Sequence, residues 1–158
     1  MSLLQFFTWC ENSATGEAVR KSTWLFPVIE SVHLLALAVI GGAVLIVNLR
    51  LLGFGLRRHP VAQIARDAQP WLAGSLLTML TTGILLFTSE AIKCYYHEAF
   101  WVKMTSLFLA IVFTFTVWRK VTMAPDTQVR PLWSKMTAVV SLALWSCVGI
   151  AGRWIGFS

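Results

Sequence analysis

The sequence has few cysteines and few acidic residues. The spacing of the cysteines argues against a disulfide-bonded or metal-thiolate protein, and the distribution of the basic residues argues against a nucleic-acid-binding protein. Three cysteines occur in 158 residues, and Cys10, Cys94 and Cys147 are too widely spaced to form a CxxC pair or a disulfide framework. Seven acidic residues stand against thirteen Lys and Arg, a net charge of +6. Most of the basic residues lie in two short segments between apolar runs, which is typical of membrane topology. We therefore expect unpaired thiols and no nucleic-acid partner.

The chain also has too little polar sequence for an ordinary soluble domain. Hydrophobic residues make up 57% of it, whereas soluble domains are nearer about half even when glycine is counted. A bilayer core takes roughly 20 apolar residues per helix. The pattern predicts an all-α integral membrane four-helix bundle in the lipid bilayer. It forms one domain over residues 1–158, with spans at about 24–49, 70–89, 100–118 and 136–155.

Three further patterns refine this bundle. Residues 2–9 are apolar but too short to span, and a polar stretch follows them, which predicts a short N-terminal interfacial helix. Six tryptophans fall at predicted span ends, as in an aromatic belt: Trp24, Trp71, Trp101, Trp118, Trp133 and Trp154. The glycines of the spans predict close helix packing: Gly41, Gly42, Gly74, Gly83, Gly149, Gly152 and Gly156.

The basic residues predict the orientation of the bundle. Residues 50–69 and 119–135 each carry four basic side chains against one acid, and we interpret both segments as loops on the same face. The positive-inside rule makes that face cytoplasmic. Both termini are then expected on the periplasmic or extracellular side.

Ionisable residues inside the spans are the candidates for function, because a charge in hydrocarbon costs several kcal/mol. Glu30 and His33 share a face one turn inside the first span, Glu90 closes the second, Lys103 lies one turn inside the third, and Arg153 lies near the end of the fourth. All are predicted near the outer surface. One interpretation is structural: the two glutamates pair with Lys103 and Arg153. The other is a polar pocket in which His33 binds a metal or haem iron, or moves protons.

The haem interpretation has His33 as one axial ligand and a second ligand from elsewhere in the bundle, for which the candidates are His97, Met104 and Met79. Copper is a further possibility, with His33, Glu30 and Met104 as ligands, although no Met-rich or Cys-rich pattern marks a copper path. His59 lies in the first basic loop and is expected to face solvent or headgroups.

Four segments carry a resemblance to known proteins: IESVHLLALAVIGGAVLIVNLRLLG, PWLAGSLLTMLTTGILLF, AFWVKM and LWSCVGIAGRWIGF. Together they resemble an uncharacterised family of small bacterial four-span membrane proteins, which implies placement in the bacterial inner (plasma) membrane. More distantly, His33 in the first span resembles copper-resistance D membrane domains. His33 with Lys103 resembles HemJ-type protoporphyrinogen oxidases, which implies that these two residues line a haem b or tetrapyrrole pocket.

The leading hypothesis is therefore a small membrane redox protein that binds haem b or a tetrapyrrole, with His33 as the iron ligand. Lys103, Arg153 and Glu30 would hold propionates or relay protons, and His97 would complete the site. The first alternative is a cofactor-free accessory subunit of a larger complex, or a homo-oligomer. The second alternative is a protein that transports or handles copper or another small cation.

Overall fold

The protein is all-helical over the residues that its computed structural model describes, which are 2–55, 58–125 and 131–155. Seven helices and no strand occur there, so the predicted all-α fold class is confirmed. The helices are α1 (Leu3–Glu11), α2 (Ala14–Lys21), α3 (Leu25–Leu52), α4 (Val61–Ser89), α5 (Ala91–Tyr96), α6 (Glu98–Met123) and α7 (Pro131–Ile155).

Four of these helices, α3, α4, α6 and α7, are long and apolar enough to cross a membrane. The shortest has 25 residues and is about 38 Å long at 1.5 Å per residue, which exceeds the roughly 30 Å of a bilayer core. Large apolar side chains remain exposed along all four, as lipid contact requires. The chain is a multi-pass membrane protein.

The core lies along one side of α3. This helix packs against α4 and α7, and α6 packs against α7. Ile40, Val44 and Val47 of α3 are almost fully buried, together with Met79 of α4 and Val148 of α7.

The first connection between spans is shorter than predicted. Residues 61–69 belong to α4, and Pro70 lies inside that helix rather than opening it. The signal that was missed is helical periodicity, because Val61 and Ala65 recur on one face and are both buried. The turn that precedes this connection is made by Gly53, whose φ of 88° ends α3 in the left-handed conformation.

The third span contains a π-helical turn over Thr114–Trp118. This turn directs Trp118 inward, where its side chain is buried and its indole Nε1 donates to Oδ1 of Asn48 at 2.9 Å. The prediction that Trp118 belongs to an aromatic belt is therefore wrong. Trp24, Trp71, Trp101, Trp133 and Trp154 do remain exposed.

Helices α1 and α2 form an N-terminal cap that covers one end of the bundle. α1 buries Phe7 and Cys10 against α5 and exposes Leu3, Phe6 and Trp9 on its other face. The structure thus has two N-terminal helices where the sequence predicted one. We call the end that they cover the capped end. The opposite end, where α3 ends and α4 begins, is the loop end.

Polar contacts hold this cap in place. Glu11 accepts a hydrogen bond from the backbone N–H of Ile92 at 2.6 Å and pairs with Arg20 at 3.1 Å. Arg20 also reaches the carbonyl oxygen of Ser89 at 3.5 Å. At Gly16 the backbone of α2 touches α4 so closely that a Cβ atom would overlap the carbonyl oxygen of Thr88.

Candidate functional site

A cavity of about 330 Å³ lies at the capped end, between the four long helices and α5. This volume is within the range of roughly 300–1,000 Å³ that is usual for small-molecule sites. Its polar lining brings together residues that are far apart in the sequence: Glu30, His33, Glu90, Lys93, Cys94 and Lys103.

His33 forms the wall on the side of α4. Its side chain is only 8% exposed, and its Nδ1 lies 2.9 Å from Oγ1 of Thr82. The ring lies close to Gly83, where a Cβ atom would be 3.2 Å from Cε1 of His33. The ring also contacts the backbone of Met79, which lies one turn earlier on α4.

Lys103 forms the opposite wall, against α7. A Cβ atom at Gly152 would lie 3.4 Å from both Cε and Nζ of Lys103, so the glycine leaves room for the ammonium group. Neither Lys103 nor Glu30 has an ion-pair partner in the part of the chain that the structure describes. A cation in such a position favours an anionic ligand.

The ion pairs that the structural interpretation predicted do not form among the described residues. Glu90 lies 3.9 Å from Lys93 instead, because both belong to the same turn at the start of α5. Arg153 is exposed on α7 and does not line the cavity. None of these four charged residues pairs with another of the four in the part of the chain that the structure describes.

Aromatic side chains make up much of the apolar wall. Phe87 and Phe100 stack with their ring centroids 5.6 Å apart and their planes at 16°, and Phe26 also lines the cavity. Phe7 of the N-terminal cap packs edge-on against Phe87 at 5.1 Å. The cap thus supports this wall from behind.

Cys94 is the thiol of the cavity. Burial raises the pKa of Cys94 to about 11, and the nearby Glu90 carboxylate acts in the same direction. The three cysteines are all free. Cys94 is consequently a protonated, weakly reactive thiol near neutral pH.

The candidate second ligands do not join His33. His97 lines a separate cavity of about 880 Å³ between α6 and α7. Met104 is 45% exposed on the outside of α6, and Met79 is buried in the apolar core. His59 is exposed at the loop end, as predicted.

No group of three or more His, Cys, Asp or Glu side chains that could hold a metal ion occurs in residues 2–55, 58–125 and 131–155. A bare copper ion would therefore find no preformed set of such ligands there. A haem iron needs less from the protein, because the porphyrin supplies four nitrogen atoms and one imidazole is sufficient.

The glycines divide into two groups. Gly83 and Gly152 face the cavity, close to His33 and Lys103, whereas a Cβ atom at Gly41, Gly42, Gly74 or Gly149 would meet nothing within 4 Å. The prediction of close packing is wrong for these four, and Gly156 lies outside the described residues.

Sequence reasoning missed Thr82, Lys93 and Cys94. Lys93 and Cys94 stood in a segment interpreted as an external loop, and α5 turns them toward the bundle. Thr82 carried no signal, because a threonine in a membrane helix ordinarily bonds to its own backbone.

Comparison with known proteins identifies a family for the chain. A family model matches residues 6–158, nearly the whole chain. The chain belongs to the family of unknown function DUF6644. The predicted resemblance to an uncharacterised family is confirmed, and nothing in the comparisons supports a relation to copper-resistance D proteins or to HemJ-type oxidases. No curated protein and no solved structure matches the chain significantly.

Proposed function

We propose that this DUF6644 protein is a redox protein of the bacterial inner membrane that holds haem b or a related tetrapyrrole in the cavity at the capped end. The observation that carries the proposal is the placement of His33 and Lys103 on the lining of one cavity, with no described ion-pair partner for the Lys103 ammonium. A mostly buried imidazole and a lysine without an ion-pair partner are costly in a membrane helix unless a ligand uses them.

The donor set fits such a group. An imidazole held at one nitrogen by a second residue is the usual form of a histidine that binds iron. Lys103 would bind a propionate carboxylate through a charge-assisted hydrogen bond. Phe26, Phe87 and Phe100 supply apolar contacts for the macrocycle.

A bound haem would supply one-electron transfer. The protein would supply the surroundings: His33 the axial nitrogen, Lys103 the positive charge, and Glu30 a carboxylate of the lining that would relay protons. Arg153 is not part of this set, because the structure places it outside the cavity lining.

The proposed orientation puts the cavity on the periplasmic side. Basic residues are concentrated at the loop end, where Arg50, Arg58, Arg66, Arg119 and Lys135 lie. Positive-inside topology makes that end cytoplasmic, and the capped end then faces outward.

The test is an optical spectrum of the full-length protein, expressed in cells supplied with a haem precursor and purified in mild detergent. We expect a Soret band that shifts when dithionite is added. His33→Ala should lose the pigment, and added imidazole should restore part of it.

His59→Ala is the matched control, because His59 is exposed at the loop end and should not affect the spectrum. Pigment that survives His33→Ala would contradict the assigned ligand. A colourless wild-type protein that copurifies with a stable partner would instead favour the accessory-subunit alternative.

A further inference from the structure

Thr82 links His33 to the backbone of α4. Its Oγ1 lies 2.9 Å from Nδ1 of His33 and 2.7 Å from the carbonyl oxygen of Thr78. Both distances are those of good hydrogen bonds. A threonine hydroxyl has one proton, so it can donate to only one of these neighbours at a time.

The two possible arrangements differ in how many hydrogen bonds they make. If Thr82 donates to the Thr78 carbonyl, its oxygen accepts the Nδ1–H of His33, and both contacts are hydrogen bonds. If Thr82 donates to Nδ1 instead, Oγ1 of Thr82 and the carbonyl oxygen of Thr78 lie 2.7 Å apart with no proton between them. A neutral imidazole therefore carries its proton on Nδ1.

Gly83, the next residue of α4, sets the position of the ring. A Cβ atom there would lie 3.2 Å from Cε1 and 3.8 Å from Nδ1 of His33. The first distance is shorter than an ordinary contact, so a side chain would push the imidazole away from α4. The hydrogen bond to Thr82 needs the ring where it is.

We infer that Thr82 and Gly83 are positioning residues that hold His33 as the Nδ1–H tautomer and leave Nε2 as the electron-pair donor of the cavity. The ligand must then offer His33 an electron-pair acceptor, which is either a metal centre or an N–H or O–H group. The role of Nε2 as an iron ligand rests on the proposed function, whereas the tautomer itself does not.

The experiment uses full-length protein in which His59→Gln and His97→Gln leave His33 as the only histidine, since the chain has three. The protein is labelled with imidazole-¹⁵N histidine, produced without haem, and studied in detergent by ¹H–¹⁵N correlation. We expect one protonated nitrogen, Nδ1, and one unprotonated nitrogen, Nε2.

Three variants test the positioning. Thr82→Val keeps the shape of the side chain but cannot accept the proton, so the Nδ1–H signal should be lost. Thr82→Ser keeps the hydroxyl and should retain that signal, and it also controls for folding. Gly83→Ala should shift the ring resonances and weaken the Nδ1–H signal.

Two results would overturn the inference: a protonated Nε2 in the parent protein, or an unchanged tautomer in Thr82→Val. A haem titration distinguishes failure of this inference from failure of the proposed function. We expect Thr82→Val to weaken haem binding by roughly 10–100-fold and Thr82→Ser to change it little. Failure of the parent protein to bind haem, with Nδ1–H still present, would overturn the proposed function alone.

Discussion

Two polar clusters inside the bundle differ in one respect, which is whether their polar atoms have partners. Toward the loop end, Asn48 donates to Ser141 at 3.0 Å and accepts from Trp118 at 2.9 Å. Asn48 is completely buried, and Trp145 and Thr114 form a further bond beside it. At the capped end, His33 contacts Thr82 and the backbone of Met79, whereas Lys103 has no described ion pair.

The difference separates a structural role from a binding role. A buried polar network that is satisfied throughout fixes the register of the helices and needs no ligand. A cavity that leaves a cation without a described ion-pair partner keeps binding capacity for an anionic group of another molecule. Changes at Asn48 should therefore alter stability, and changes at His33 or Lys103 should alter binding.

The largest effect is expected from Lys103→Met, which keeps the length of the side chain and removes its charge. A hydrogen bond to a charged group contributes about 1.5–3 kcal/mol, so haem affinity should fall roughly 10–150-fold. Thermal stability should stay the same or increase, because a poorly compensated charge is removed.

Titration of haem into the purified apoprotein measures this effect. Lys120→Met is the matched control, since Lys120 is exposed at the loop end of the same helix and does not line this cavity. If both variants bind haem with equal affinity, Lys103 has no special role in the cavity.

The next effect is expected from Asn48→Leu, which removes both hydrogen bonds at nearly constant volume. The indole N–H of Trp118 would then lack its acceptor, which should lower the free energy of unfolding in the membrane by about 1–2 kcal/mol. Unfolding in mixed detergent micelles measures it. Pairing Asn48→Leu with Trp118→Phe should recover part of the loss, because the stranded donor is then also absent. A larger loss in the double variant would contradict this explanation.

A local effect is expected from Gly16→Ala. The new Cβ would overlap the Thr88 carbonyl oxygen and lie 2.9 Å from that of Glu11, so α2 must move away from α4. Hydrogen exchange should rise in residues 3–21 and stay unchanged in α7. Gly74→Ala, where a Cβ meets nothing within 4 Å, should leave exchange unaltered. Equal exchange in the two variants would show that the cap does not depend on this contact.

The smallest effect concerns the thiol of the cavity. Because burial raises the pKa of Cys94 to about 11, only about one thiol in a thousand is ionised at pH 8. In a Cys10→Ser, Cys147→Ser background, alkylation should be slow and should accelerate about tenfold per pH unit up to about pH 11. A rate that levels off near pH 8.5 would mean that Cys94 is exposed in solution.

The spans and the charged members of the cavity were predictable for a common reason. Long apolar runs in a sequence indicate membrane spans. Glu30, His33 and Lys103 stand out within them because ionisable residues are rare in the hydrocarbon core. The position of such a residue within an apolar run is enough to mark it as a candidate for function.

The features that the sequence did not predict depend on contacts between residues that are far apart in the sequence. Thr82 looks like any helix threonine until His33 is placed beside it. Trp118 lies at a predicted span end and turns inward because of a π-helical turn that no residue pattern marked. The start of α4 was placed at Pro70, although the buried faces of Val61 and Ala65 continue the helix beyond it.

The most direct measurement compares haem content per protein in His33→Ala and Asn48→Leu, purified side by side with the wild type. We predict no haem in His33→Ala at the thermal stability of the haem-free wild type, and wild-type haem content in Asn48→Leu at reduced stability. Haem retained in His33→Ala, or lost equally from both variants, would contradict the division between a binding cluster and a structural one.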